Sequence, residues 1–361
     1  MSENLEKTKS KKQERYEGVE GLRGVAILGI VAMHLKENID FSISGYFYNT
    51  VITYFTNFVF LFMIISAFSM CCGYYDKIRE GRIGIDEFYK RRYTKILPYF
   101  SVMVFIEIVV DFSVDNLYEA FADLTLCFGL LPNPRITVVG VGWTLGVIFV
   151  FYLLFPFFCY LLRDLRNAIF VLISAIIYNY VCIHYFFDTN HVLAGYSYRT
   201  NILFGAMFFV AGGILYLKRS WLKNLSGLGK FGMLFLTTTS TVIYFGMPLL
   251  PSGFRSREDL FYFLLLITFS LWLCCAINDR CILFNNRILK FIGGISMEIY
   301  LCHMPVLRSV EKMGITKFRI NPMLDYALVF LCILVGSIIF SVCLKYIIGK
   351  MSTLFCRRGE V

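Results

Sequence analysis

Long apolar runs, broken by short charged stretches, dominate the chain. A helix needs roughly 20 mostly apolar residues to cross a bilayer core. On that rule spans are predicted near residues 19–36, 50–73, 96–112, 139–162, 168–187, 200–217, 231–250, 259–278, 287–306 and 324–347. The pattern predicts an all-α integral membrane protein with about ten transmembrane helices in a single polytopic bundle. The first span is short and begins among charges. The stretch 117–131 suits a half-helix lying at the interface or dipping into it. No segment between spans is long enough for an independent soluble fold, and no repeat is evident. The organisation expected is a disordered cytoplasmic tail over 1–17, a membrane domain over 18–348 and a second cytoplasmic tail over 349–361.

Composition agrees with this pattern. The chain is 58% hydrophobic and 17% charged, against about 25% charged in soluble domains. No small-residue cleavage site follows the first apolar stretch, so it reads as a retained helix rather than a secretory signal. Placing the N-terminus in the cytoplasm puts 24 of the 35 Lys and Arg in the inside segments, the bias that sets orientation. Both termini of this multi-pass chain are therefore expected on the cytoplasmic side of the cell membrane. Only the last outer loop, with Arg308, Lys312, Lys317 and Arg319, runs against the bias. The net charge of +10 then anchors the protein to anionic membrane lipids. The basic residues are dispersed over loops, which argues against a nucleic-acid partner. The 12 cysteines sit mostly in apolar runs, where they act as small hydrophobes. Their spacing suggests neither a disulfide framework nor a metal site.

Polar residues inside the spans are the candidates for chemistry, because charge is expensive in hydrocarbon. Arg23 and His34 lie eleven residues apart, on one helix face and separated by about 16 Å of rise. Glu20, three residues before Arg23, is within helical pairing distance. Arg91, Arg92 and Lys95 cluster at the cytoplasmic rim of the third span. They are either plain anchors or a grip for phosphates, and Pro98 is placed to fix that helix's first turn. In the ninth span Ser296, Tyr300 and His303 fall on one face at spacings of four and three, while Glu298 points elsewhere. Trp143 is expected at the outer interface and Pro156 within a kinked fourth span. Glu107 and Asp111 share a face of the third span near its outer end.

The Arg23-x10-His34 helix, "FYKRRYTKILPY", "GWTLGVIFVFYLLFP" and the closing "GGISMEIYLCHMPV" together resemble the acyltransferase type 3 family. Members are multi-span membrane proteins that O-acylate surface and cell-wall glycans and other acceptors. The resemblance implies that His34 is the essential catalytic histidine, with Arg23 its partner. It also matches Arg92 and Lys95 to the family's two spaced basic residues before a proline. Lys95 departs from the usual arginine, and Ile148 and Phe149 stand where the family's W-S-L-x-x-E stretch often carries an acid.

Residues and resemblance together imply an O-acetyltransferase that binds no permanent cofactor and no metal. Acetyl-CoA, or another acyl-CoA, is its donor substrate. Arg91, Arg92 and Lys95 hold the coenzyme phosphates, and Trp143 contacts the acceptor, a glycan or its lipid-linked precursor. His34 acts as general base or carries the acyl group. Tyr300, Ser296 or His303 donates to the oxyanion. The competing class is a transporter or flippase without covalent chemistry, which would more often show matching broken helices in two halves.

Overall fold

A computed structural model describes residues 16–131, 137–186, 190–191, 197–278, 284–316, 318 and 321–358. Most of tail 1–17, the loop cations Lys317 and Arg319 and the end of tail 349–361 lie outside the described residues. Among the described residues the chain is helical without a strand. We number the principal helices α1 (Glu17–Asn38), α2 (Phe58–Met70), α3 (Ile85–Val110), α4 (Val114–Thr125), α5 (Trp143–Leu161) and α6 (Leu165–Val181). They continue as α7 (Ile202–Leu217), α8 (Gly227–Gly246), α9 (Glu258–Ile277), α10 (Arg287–Gly294), α11 (Ser296–Lys312) and α12 (Pro322–Arg358).

Eight helices are long and apolar enough to cross a membrane, and α7 is a shorter apolar helix. The ninth expected span, 287–306, is broken: α10 ends at Gly294 and α11 begins at Ser296. About ten membrane segments are thus present, and the protein is a multi-pass membrane protein. The 12-residue α4 is too short to span. It exposes Leu117, Tyr118, Phe121 and Leu124, as a helix lying at a membrane surface does.

The first helix lies at the centre, packing against α2, α9, α10, α11 and α12. Its stripe of Gly18, Gly21 and Gly24 makes this possible. A Cβ on these residues would fall 2.3, 1.7 and 2.3 Å from the carbonyl oxygens of Ala276, Phe284 and Leu289. Small residues let backbones approach closely where lipid supplies no hydrophobic drive between helices. Gly293 on α10 meets the Glu20 carbonyl in the same way. By contrast α6, α8 and α12 form the perimeter, with only 17%, 22% and 28% of their apolar windows buried. Their exposed Phe170, Phe231 and Ile339 face where lipid would be.

One local expectation changes. Pro98 lies inside α3 rather than in its first turn, because the helix starts at Ile85 after an extended Gly84. Its early turns carry Arg91, Arg92 and Lys95 beyond the apolar run that marked the span. The ten cysteines whose side chains are described are free thiols, as the spacing suggests.

Candidate active site

Arg23, Arg92, Lys95 and Lys345 converge on one cavity from α1, α3 and α12. Glu298 is its acid, and Ser66, Thr144, Tyr152, Ser296 and Tyr300 supply hydroxyls. Burial of the α1 glycines positions Arg23, whose Nη2 donates to Ser69 of α2 at 2.9 Å. Arg92 donates through Nη2 to the Tyr74 hydroxyl at 2.5 Å, and its Cζ lies 4.7 Å from that ring's centroid. Its Nε is buried without a hydrogen-bond partner. Lys345 pairs with Glu298 at 2.7 Å, although Glu298, expected to point elsewhere, shares the cavity with Ser296 and Tyr300. Four cations thus share the cavity lining with a single carboxylate, Glu298, which makes the pocket positive. Residues 296–298 open α11 at this wall, so that helix's N-terminal N–H groups reinforce the positive potential.

Of the cations expected on the third span, Arg92 and Lys95 reach the cavity and Arg91 does not. Arg91 bonds Glu87 one turn back on the exposed side of α3. Lys345 was visible as an intramembrane lysine, the kind of residue that marks a site, but nothing in the sequence indicated where it points. Ile148, where the resemblance leads to an expected acid, lines the cavity, and the lining carboxylate is Glu298.

Tyr300 closes the inner end. Its hydroxyl donates to the Val141 carbonyl at 2.7 Å and lies 2.9 Å from Thr144 Oγ1. Beyond it, the rings of Tyr300 and His303 are 5.9 Å apart, and those of His303 and His34 5.1 Å apart. His34 thus sits against His303 and not on the cavity wall. Arg23 and His34 share a helix face but not one cleft, because Tyr300 stands between. Ser296 lies seven residues before His303, about 10 Å along the helix. It belongs to the cavity rather than to the histidine pair.

Trp143 lies elsewhere, half-buried in a second cavity toward the C-terminal end of α3. Glu107, Asp111, Asn116, Glu119 and Arg308 share that cavity. Glu107 is buried and paired with Arg308 of α11. Arg308, the exception to the charge bias, is held by an acid of the adjacent span. Next to this cavity Asp123 of α4 is fully buried and accepts from Thr137 Oγ1 and the Val138 N–H at 2.9 and 3.0 Å. Desolvation pushes its carboxyl up to about 7.

No curated protein and no solved structure gives a significant match to the chain. A family model described as an acyltransferase domain matches residues 16–346. That span runs from the start of α1 into α12 and contains both histidines, the cationic cavity and Trp143. The chain belongs to the acyltransferase type 3 family and is a membrane acyltransferase.

Proposed function

We propose that this acyltransferase moves an acyl group, most simply acetyl, from acyl-CoA to a hydroxyl of a cell-surface or cell-wall glycan or its lipid-linked precursor. The observation that carries this reading is the convergence of Arg23, Arg92, Lys95 and Lys345 on one cavity closed at its inner end by Tyr300, whose ring lies 5.9 Å from His303 and, through it, next to His34. Several cations around one acid suit a phosphate-bearing donor, since guanidinium groups grip phosphate oxygens in pairs. The excess of Lys and Arg in the loops at this end makes it the cytoplasmic one, where acyl-CoA is made. The acceptor approaches from the opposite end, past Trp143.

In this mechanism the coenzyme phosphates rest on Arg92 and Lys95, and the thioester is directed toward Tyr300. His34 takes the proton of the acceptor hydroxyl as general base. The new C–O bond forms, the C–S bond breaks, and the proton passes to the departing thiolate. The Tyr300 and Thr144 hydroxyls lie nearest to stabilise the oxyanion. Replacing Arg92 and Lys95 by alanine should raise the KM for acetyl-CoA far more than that for the acceptor, because phosphate contacts act mainly as uniform binding. Equal effects on both substrates would leave these residues as membrane anchors. A transporter would release no CoA thiol at all.

A further inference from the structure

His303 carries more information than its place on a polar stripe. Its Nδ1 lies 2.7 Å from the Tyr300 carbonyl oxygen and 3.2 Å from that of Ile299. A carbonyl oxygen can only accept, so Nδ1 must bear the proton. In the neutral ring the lone pair is then on Nε2. That atom is buried without a hydrogen-bond partner, on a residue that is 0% exposed. Protonating Nε2 as well would bury a cation whose new N–H has nothing to donate to. The neutral ring therefore offers an acceptor at Nε2 and cannot serve there as an oxyanion donor. The neighbouring ring, 5.1 Å away between centroids and tilted by 43°, is His34.

Resting on the reading of His34 as general base, we infer that His303 is its positioning residue: His303 Nε2 accepts the N–H of His34 and leaves the other His34 nitrogen free to take a proton. The acceptor's hydroxyl proton moves to that free nitrogen as the C–O bond forms and the C–S bond breaks. The same proton then leaves for the thiolate. His303 keeps its Nδ1 proton throughout, fixed by the two carbonyls. A carboxylate does this for the histidine of a Ser-His-Asp triad. Here a neutral imidazole does it without placing an anion in the membrane interior. A small rotation of either ring brings the nitrogens into contact, as catalytic hydrogen bonds commonly tighten only with substrate bound.

The test compares His303→Gln with His303→Asn in purified protein, with acetyl-CoA as donor and CoA thiol release as readout. Glutamine can place an amide oxygen near the Nε2 position. Asparagine can keep an N–H at the Nδ1 position but stops short of Nε2. Glutamine should retain roughly tenfold more kcat than asparagine, with the KM for acetyl-CoA unchanged in both. A purely structural role reverses the order, since asparagine preserves the bond to the carbonyls, and that reversal overturns the inference. If either variant fails to fold, 15N spectra of histidine-labelled wild-type protein in bilayers decide. They should show an unprotonated Nε2 on His303, and a protonated one overturns the inference. His34→Gln separates the two claims. Full activity in that variant defeats the general-base reading itself, whereas an inactive His34→Gln beside equal Gln and Asn variants at 303 defeats the pair alone.

Discussion

At the scale of single residues, His34 is tolerated in an apolar helix because it packs on His303 beside the inner end of the cavity. His34→Gln keeps size and some hydrogen bonding but cannot act as a base near neutral pH. It should leave a folded, membrane-inserted protein whose transfer rate falls at least about 100-fold, the lower range for lost acid–base catalysis. Arg23→Lys keeps charge but loses the fork that reaches Ser69, so a smaller loss is expected. Near-normal rates in folded His34→Gln would make the histidine structural only. Asp123 gives a pH prediction. Its folded-state carboxyl is raised from 3.8 to about 7, chiefly by desolvation. Below the lower value it is protonated in both folded and unfolded protein and contributes nothing. Above the higher value it is a buried anion in the folded protein only, so stability falls as pH rises through this window. Melting temperatures of detergent-solubilised protein should decline less between pH 5 and 8 in Asp123→Asn than in wild type. Parallel curves would contradict this.

At the scale of elements, the apolar runs made the helices legible, and the spacing rules placed Ser296, Tyr300 and His303 on one buried face. The break at Ile295 was not legible. Glycines 293 and 294 could equally have marked close helix packing, and Gly293 does meet the Glu20 carbonyl. Pairings between elements were also hidden: Arg308 and Glu107 are 201 residues apart, and Lys345 reaches Glu298 from a different helix. Periodicity assigns a side chain to a face of its own helix, not to a partner across the bundle. The Arg308–Glu107 pair joins α11 to α3 beside the Trp143 cavity. Arg308→Leu leaves Glu107, 6% exposed, without its cation. Arg308 itself is 42% exposed, so solvent screens part of the loss and a modestly lowered melting temperature is expected. Adding Glu107→Gln should recover much of the loss, whereas an additive double variant would mean that the pair contributes little.

At the scale of the whole molecule, a central glycine-striped helix carries the cation and the histidine on which the proposed reaction depends, and perimeter helices isolate them from lipid. The cavity at one end is positive, and the second, at the other end, holds Trp143 among carboxylates. That arrangement suits a donor and an acceptor meeting across a membrane better than the passage of one substrate through a channel. The most direct test measures acetyl-CoA consumption by purified, lipid-reconstituted protein in the presence of glycan extracted from its native membranes. CoA thiol release and glycan mass are followed together. The account predicts that wild type releases thiol in step with a gain of acetyl mass on the glycan, and that His34→Gln does neither. Thiol and glycan mass both unchanged in wild type, with glycan carried unmodified across the bilayer, would contradict it.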